Sequence, residues 1–135
     1  MKYRILIVSA NYYTDISNNL LKDAKTTLKS KAKYQIINVP GVFEIPVIIA
    51  KNIKKYHGFI ALGCVIKGET PHFDFISRAT TDAIMNLSIT HKKPIGNGIL
   101  TCLNYDQAKL RAAANGKIRK GREAAQAVLN VLDTK

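Results

Sequence analysis

The sequence predicts an α/β fold of three layers, with helices on both faces of a four-stranded parallel sheet, and three observations carry that expectation. Four short apolar runs alternate with longer segments whose apolar residues recur at helical spacing. The apolar runs are near-continuous, as expected of strands buried on both faces and joined by right-handed crossovers. A chain of 135 residues with 47% hydrophobic content fits one soluble domain with one core, so residues 1–135 are expected to form a single unit.

Each element has its own signal. Tyr3–Ala10 is an apolar, β-branched run. Residues 15–31 carry Ile16, Leu20, Ala24 and Leu28 on one helical face. Residues 34–39 form a second strand closed by Pro40-Gly41. The next helix carries Pro46, tolerable only in its first turn, and is expected to run through Ile49, Ile53 and Lys55 to a stop at His57-Gly58. Residues 59–65 form a third strand. A turn around His72 leads into a helix bearing Phe73, Ile76, Ala83, Ile84 and Leu87, which Pro94 ends. A fourth strand runs through Ile99, Leu100 and Thr101, followed by a short helix at 106–114, a basic loop at 115–121 and a last helix at 122–132. Four parallel strands so covered make a flavodoxin-like α/β/α sandwich.

The formal net charge of +12, from 21 Lys+Arg against 9 Asp+Glu, admits three sources: nucleic acid, an anionic substrate or a lysine-rich genome. Lys22, Lys25, Lys29 and Lys33 are read as spread over helical faces. The aromatic-studded basic motifs of RNA-binding modules and a DNA-reading helix pair are both missing, so solvated faces are the expected fate of most of this charge. No run is long enough to span a bilayer and the basic N-terminus reads as a strand, which makes the cytoplasm the expected location. Cys64 and Cys102 have no second ligand at metal spacing and are expected to be buried or half-buried packing residues.

In open parallel sheets, ligands bind outside the carboxyl ends of the strands. Three segments fall there: Asn11-Tyr12-Tyr13, Pro40-Gly41-Val42-Phe43-Glu44, and Gly68-Glu69-Thr70-Pro71-His72. The last offers backbone N–H groups and a hydroxyl to an anion, with a helix start close by. Imidazole exchanges protons near neutrality, so His72 suits proton transfer on an anionic substrate. A helix-capping turn with a solvent-facing histidine accounts for the same residues. Together the segments suit a ligand with a planar ring, several hydroxyls and a phosphate.

Four stretches in order resemble the lumazine synthase family: Pro-Gly-Val-Phe-Glu-Ile-Pro at 40–46, Leu-Gly-Cys-Val-Ile-Lys-Gly-Glu-Thr-Pro-His-Phe at 62–73, Pro-Ile-Gly-Asn-Gly-Ile-Leu-Thr at 94–101, and Lys-Gly-Arg-Glu-Ala-Ala at 120–125. The resemblance implies condensation of 5-amino-6-(D-ribitylamino)uracil with 3,4-dihydroxy-2-butanone 4-phosphate to give 6,7-dimethyl-8-ribityllumazine, phosphate and water, the penultimate step of riboflavin biosynthesis, with no metal or redox cofactor. It implies that Tyr12 stacks on the pyrimidine, that Val42 and Phe43 offer backbone groups, and that Glu44 accepts ribityl hydroxyls. Cys64, Val65 and Ile66 then read the uracil edge, Glu69, Thr70 and Arg111 hold the phosphate, and His72 relays protons. The resemblance assigns Tyr13 no role.

The chain also departs from the family pattern. Leu110 stands where many members have an acidic residue, and Asn97 takes a ligand-facing position, often phenylalanine, which implies a polar contact to the pyrimidine ring from a neighbouring subunit; Lys120 is the candidate basic residue of an altered loop at 115–120. The family shares its sites between neighbours in a five-membered ring. Only eleven residues precede Tyr12, and with the altered loop this leads to the expectation of a pentamer or a pair of pentamers in preference to a sixty-subunit shell, with riboflavin synthase as a candidate partner. The competing reading is a non-catalytic flavodoxin-like binding module, which gives no reason for Glu44, Thr70, His72 and Arg111 to occur together.

Overall fold

A computed structural model describes residues 2–68, 71–113, 116 and 118–134. Four strands, β1 (Tyr3–Ala10), β2 (Ala32–Val39), β3 (Gly58–Ile66) and β4 (Ile95–Cys102), form one sheet in the order β2-β1-β3-β4. Every pairing is parallel. The helices are α1 (Thr14–Leu28), α2 (Ile45–Lys51), α3 (His72–His91), α4 (Tyr105–Ala112) and α5 (Lys120–Asp133). The expected α/β fold is therefore present, with the chain reversing its direction of travel across the sheet between β2 and β3.

Strand periodicity divides the core in two, because neighbouring residues of a strand face opposite sides. Ile5 and Ile7 of β1 join Ile60, Leu62 and Leu100 beneath α1, α4 and α5. Leu6 and Val8 join Phe59, Ala61 and Ile99 beneath α2 and α3. Each fully buried aliphatic side chain contributes about 1.5–3 kcal/mol relative to exposure. Both cysteines are buried and free, as the sequence led us to expect.

Several boundaries differ from the sequence reading. Helix α1 ends at Leu28 instead of Lys31, and β2 starts two residues early because Ala32 and Lys33 pair with Tyr3 and Arg4. The helix expected to reach Lys55 stops at Lys51, where the Asn52 N–H turns back to the carbonyls of Ile49 and Ala50. Ile53 remains buried although it lies in an irregular turn, which is why the apolar spacing there imitated a longer helix. Lys93 Nζ donates to the carbonyls of Ile53 (2.6 Å) and Tyr56 (2.9 Å), replacing the bonds that a helix would have supplied. Helix α3 begins at His72 itself and closes on Lys92, whose left-handed φ of 54° precedes Pro94 by two residues. Helix α4 is Tyr105–Ala112, and α5 begins at Lys120, two residues before the expected start.

Helix α5 lies close enough to β4 and α1 that two glycines are sterically required. A Cβ on Gly96 would stand 2.2 Å from the Ala124 carbonyl oxygen, and one on Gly121 would stand 2.3 Å from that of Leu20. Asp23 of α1, almost fully buried, holds the approach to α5 by accepting bonds from Arg119 Nε (3.2 Å) and Nη2 (2.5 Å). Neither backbone obstacle can rotate away, so Gly96→Ala is expected to destabilise the fold by about 1–3 kcal/mol through overpacking. Chemical denaturation at fixed protein concentration checks this, and an unchanged midpoint would contradict the close packing of α5 on β4.

Candidate active site

The site is built where the strands run out of partners. At the end of β1, Ser17 Oγ donates to the Ala10 carbonyl (2.6 Å) and the Asn11 N–H donates to the Val39 carbonyl (3.1 Å), which pins the turn from β1 to α1. Tyr12 leaves this turn 70% exposed. Its ring meets Tyr13 edge-on at 4.9 Å, Tyr13 in turn meets Tyr105 at 6.4 Å, and the Tyr105 hydroxyl donates to the Asp15 carboxylate. That bond holds the Asp15 carboxyl below its ordinary range, while burial raises the Tyr13 phenol.

After β2, Val42, Phe43 and Glu44 form one tight 3₁₀ turn before α2. Val42 is driven inward over Gly63, where a Cβ would come within 2.6 Å of its Cγ1. Its side chain is thus committed to the core, and the turn's backbone is left to face a ligand. Phe43 is 61% exposed. The Glu44 carboxylate folds back over Gly41, its Oε1 lying 3.2 Å from where a Cβ would be.

These residues enclose a cavity of about 530 Å³ whose other wall is Cys64, Val65 and Ile66 at the end of β3. Its volume suits a small organic ligand. His72, first residue of α3, lines the cavity, as does Ile76 one turn further along. Burial, reinforced by the neighbouring Cys102 thiol, pushes the Cys64 thiol up to about 12, so it stays neutral near pH 7 and acts as a wall, not a nucleophile. The N-terminus of α3 opens beside His72 and its positive dipole end favours an anion there.

Eight residues singled out from the sequence thus meet around one cavity: Tyr12, Val42, Phe43, Glu44, Cys64, Val65, Ile66 and His72. Glu69 and Thr70 lie outside the described residues, as do Asn115 and Lys117 of the basic loop. Arg111 is not part of the lining. It sits at the same edge of the sheet, half-buried, with Nη1 donating to Cys102 Sγ at 3.6 Å, and Cys102 pairs with Ile66. Asn97 stands apart: it is exposed opposite Ala61 in the amino half of β4, and its Oδ1 accepts the Ile99 N–H at 3.0 Å. Tyr13 and Ile76 line the cavity without having been assigned to it from sequence. Ile76 was detectable, since it is four residues after His72 and shares its helix face.

Among the described residues no cluster of three or more His, Cys, Asp or Glu is placed to hold a metal ion. Nor is any helix long and apolar enough to cross a membrane. The arrangement offers an aromatic face, a carboxylate, main-chain polar groups and an imidazole at one helix N-terminus, with the Arg111 guanidinium at the same edge of the sheet, a set suited to a polyhydroxylated ring and an anionic co-substrate.

Comparison with known proteins agrees with this chemistry. The family model for 6,7-dimethyl-8-ribityllumazine synthase matches residues 2–135. The chain is 48% identical to the 6,7-dimethyl-8-ribityllumazine synthase of Bartonella henselae, over 99% of this chain and 89% of that protein. It is 43% identical to the protein of the same name from Agrobacterium fabrum, over 99% and 95% of the two chains. A match along the whole chain places it in the 6,7-dimethyl-8-ribityllumazine synthase family.

Proposed function

We propose that the cavity at the carboxyl ends of β1 and β3 carries out the reaction for which the family is named, joining 5-amino-6-(D-ribitylamino)uracil to 3,4-dihydroxy-2-butanone 4-phosphate. The chain acts as a transferase in riboflavin biosynthesis. The observation that carries the residue assignment is the convergence of Tyr12, Glu44, Cys64 and His72, distant in sequence, on one cavity. A non-catalytic binding module needs no imidazole beside an anion site.

The pyrimidine lies against the exposed Tyr12 ring, with its edge on the main chain of Cys64, Val65 and Ile66 and its ribityl hydroxyls on Glu44. The butanone phosphate lies towards Arg111 and the segment holding Glu69 and Thr70. Glu69 serves there through its backbone N–H, because a carboxylate beside a phosphate is repulsive. A guanidinium matches the phosphate's oxygens with paired donors.

The uracil amine attacks the ketone and water leaves to give an imine; phosphate is then eliminated, and the ribitylamino nitrogen closes the ring with loss of a second water. Each stage moves a proton, and His72 is the group placed to relay it. The α3 dipole and Arg111 stabilise the departing phosphate. Much of the acceleration comes from holding two already reactive partners in register. No metal or redox cofactor is needed for these steps.

The site is completed by a neighbour. Asn97 is too far along β4 to reach the cavity of its own chain, which supports its serving the cavity of a second copy. The apolar exposed residues Phe75, Met85 and Ile89 on one side of α3, together with Leu110, supply the kind of surface that a ring interface covers. Riboflavin synthase, which consumes the product, is a candidate partner, and the cytoplasm is the expected compartment.

His72→Asn is expected to slow single-turnover lumazine formation by about one to two orders of magnitude while leaving pyrimidine binding intact, at the low end for general acid-base catalysis. Unchanged turnover would remove His72 from the mechanism. Arg111→Ala is expected to raise KM for the butanone phosphate much more than for the pyrimidine, since only the former carries phosphate. Equal effects on both would dismiss the assignment. Light scattering is expected to give a mass about five or ten times that of the 14.9 kDa chain; an active monomer or a shell of roughly megadalton mass would overturn the ring model.

A further inference from the structure

A second hollow, of about 540 Å³, lies at the end of the sheet remote from the cavity described above. It exists because α2 stops at Lys51, so the helical layer does not extend over the amino ends of β1 and β2. Residues of β1 that share Arg4's face, Leu6 and Val8, are fully buried, whereas Arg4 is exposed. Its register partner on β2 is Lys33, so two cations stand side by side on adjacent strands. Like charges placed directly opposite each other destabilise a sheet. Lys55 adds a third positive charge, and among the described residues no Asp or Glu lines the hollow.

The guanidinium of Arg4 is also held in place. Its Nη2 donates to the Lys55 carbonyl and its planar group lies 5.7 Å from the centre of the Tyr56 ring. Tyr56 is itself fixed by a hydrogen bond from its hydroxyl to Gln35 and by edge-on contact with Phe59. None of the three cations forms an ion pair among the described residues, where the one ion pair is Asp23 with Arg119. An anchored guanidinium with two flanking lysines is an incomplete arrangement electrostatically, and a ligand with several negative charges completes it.

We infer that this hollow, formed by Arg4, Lys33, Gln35, Lys55 and Tyr56, is a second binding site, which takes a small organic diphosphate. Three convergent cations match a diphosphate better than a single phosphate. The volume exceeds what an inorganic anion fills and is of the order that small-molecule sites occupy, about 300–1,000 Å³. Bound there, the ligand relieves the cross-strand repulsion between Arg4 and Lys33 and stabilises the amino end of the sheet. The site is independent of the proposed reaction, which uses the opposite edge.

The test is calorimetric titration of the intact protein at low ionic strength, about 10 mM, where charge screening is weak. Adenosine diphosphate, inorganic pyrophosphate and sulfate are the probes. Adenosine diphosphate is expected to bind saturably and at least as tightly as pyrophosphate, and sulfate about tenfold or more weakly, a difference of about 1.4 kcal/mol or more. Arg4→Ala and, separately, Lys33→Ala are each expected to weaken adenosine diphosphate binding by about tenfold, with lumazine formation unchanged. Arg111→Ala is expected to leave that binding as it was. Sulfate matching adenosine diphosphate would mean an adventitious ion only and would overturn the inference. So would binding that Arg111→Ala removes and the Arg4 and Lys33 variants spare, or pyrophosphate binding that excludes the nucleotide.

Discussion

Strands β1 and β3 are covered on both faces, and that double burial governs where polar chemistry can occur. Between Ile5 and Ala10, and again between Phe59 and Cys64, the residues are buried, so a polar side chain there needs a partner within the protein. Ser9 is the one polar residue between Ile5 and Ala10, and it is buried like the rest. Backbone polar groups along these strands are consumed by the ladders. Only where the ladders end do main-chain donors and acceptors become available, and the turns after β1, β2 and β3 all finish at the same edge. The proposed site is a consequence of that ending.

Tight seats then fix the geometry of those turns. Gly63 lets Val42 drop into the core, which aims the 3₁₀ turn and leaves Phe43 and Glu44 outside it. Gly96 and Gly121 let α5 press against β4 and α1, and the buried Asp23 draws Arg119 onto α1. Asp23 is almost fully buried while Arg119 is partly exposed, so removing the guanidinium would leave a buried carboxylate without its partner. The pair therefore ties the start of α5 to α1. The active edge is rigid beneath and open above, with Tyr12 and Phe43 largely exposed for contact with a ligand or a neighbour.

The layer order, the element sequence and most of the cavity were legible in the chain because they rest on periodicity and on turn residues. Tyr12, Glu44 and His72 could be placed at one edge because parallel strands share their carboxyl end, and the family resemblance added Cys64. Other features were hidden for definite reasons. Ile53 keeps a helical spacing while the backbone around it is held by Lys93, a long-range contact that no local pattern reveals. Lys33 resembled a lysine on a helical face, yet Ala32 and Lys33 belong to β2 and pair with Tyr3 and Arg4 of β1. Arg4 itself looked like an ordinary basic residue at a strand start, and the β1–β2 register together with the early end of α2 brings it together with Lys33 and Lys55. The proposed phosphate side rests on Arg111 and on residues 69 and 70, of which the structure describes Arg111.

The central claim is that one edge of this sheet joins a ribitylaminouracil to a four-carbon keto phosphate. The most direct measurement incubates the purified protein with both compounds and follows lumazine fluorescence and free phosphate together. The expected result is that lumazine and phosphate rise in equal amounts, well above the rate without protein. Phosphate release without lumazine, or no acceleration of either at saturating substrates, would contradict the assignment.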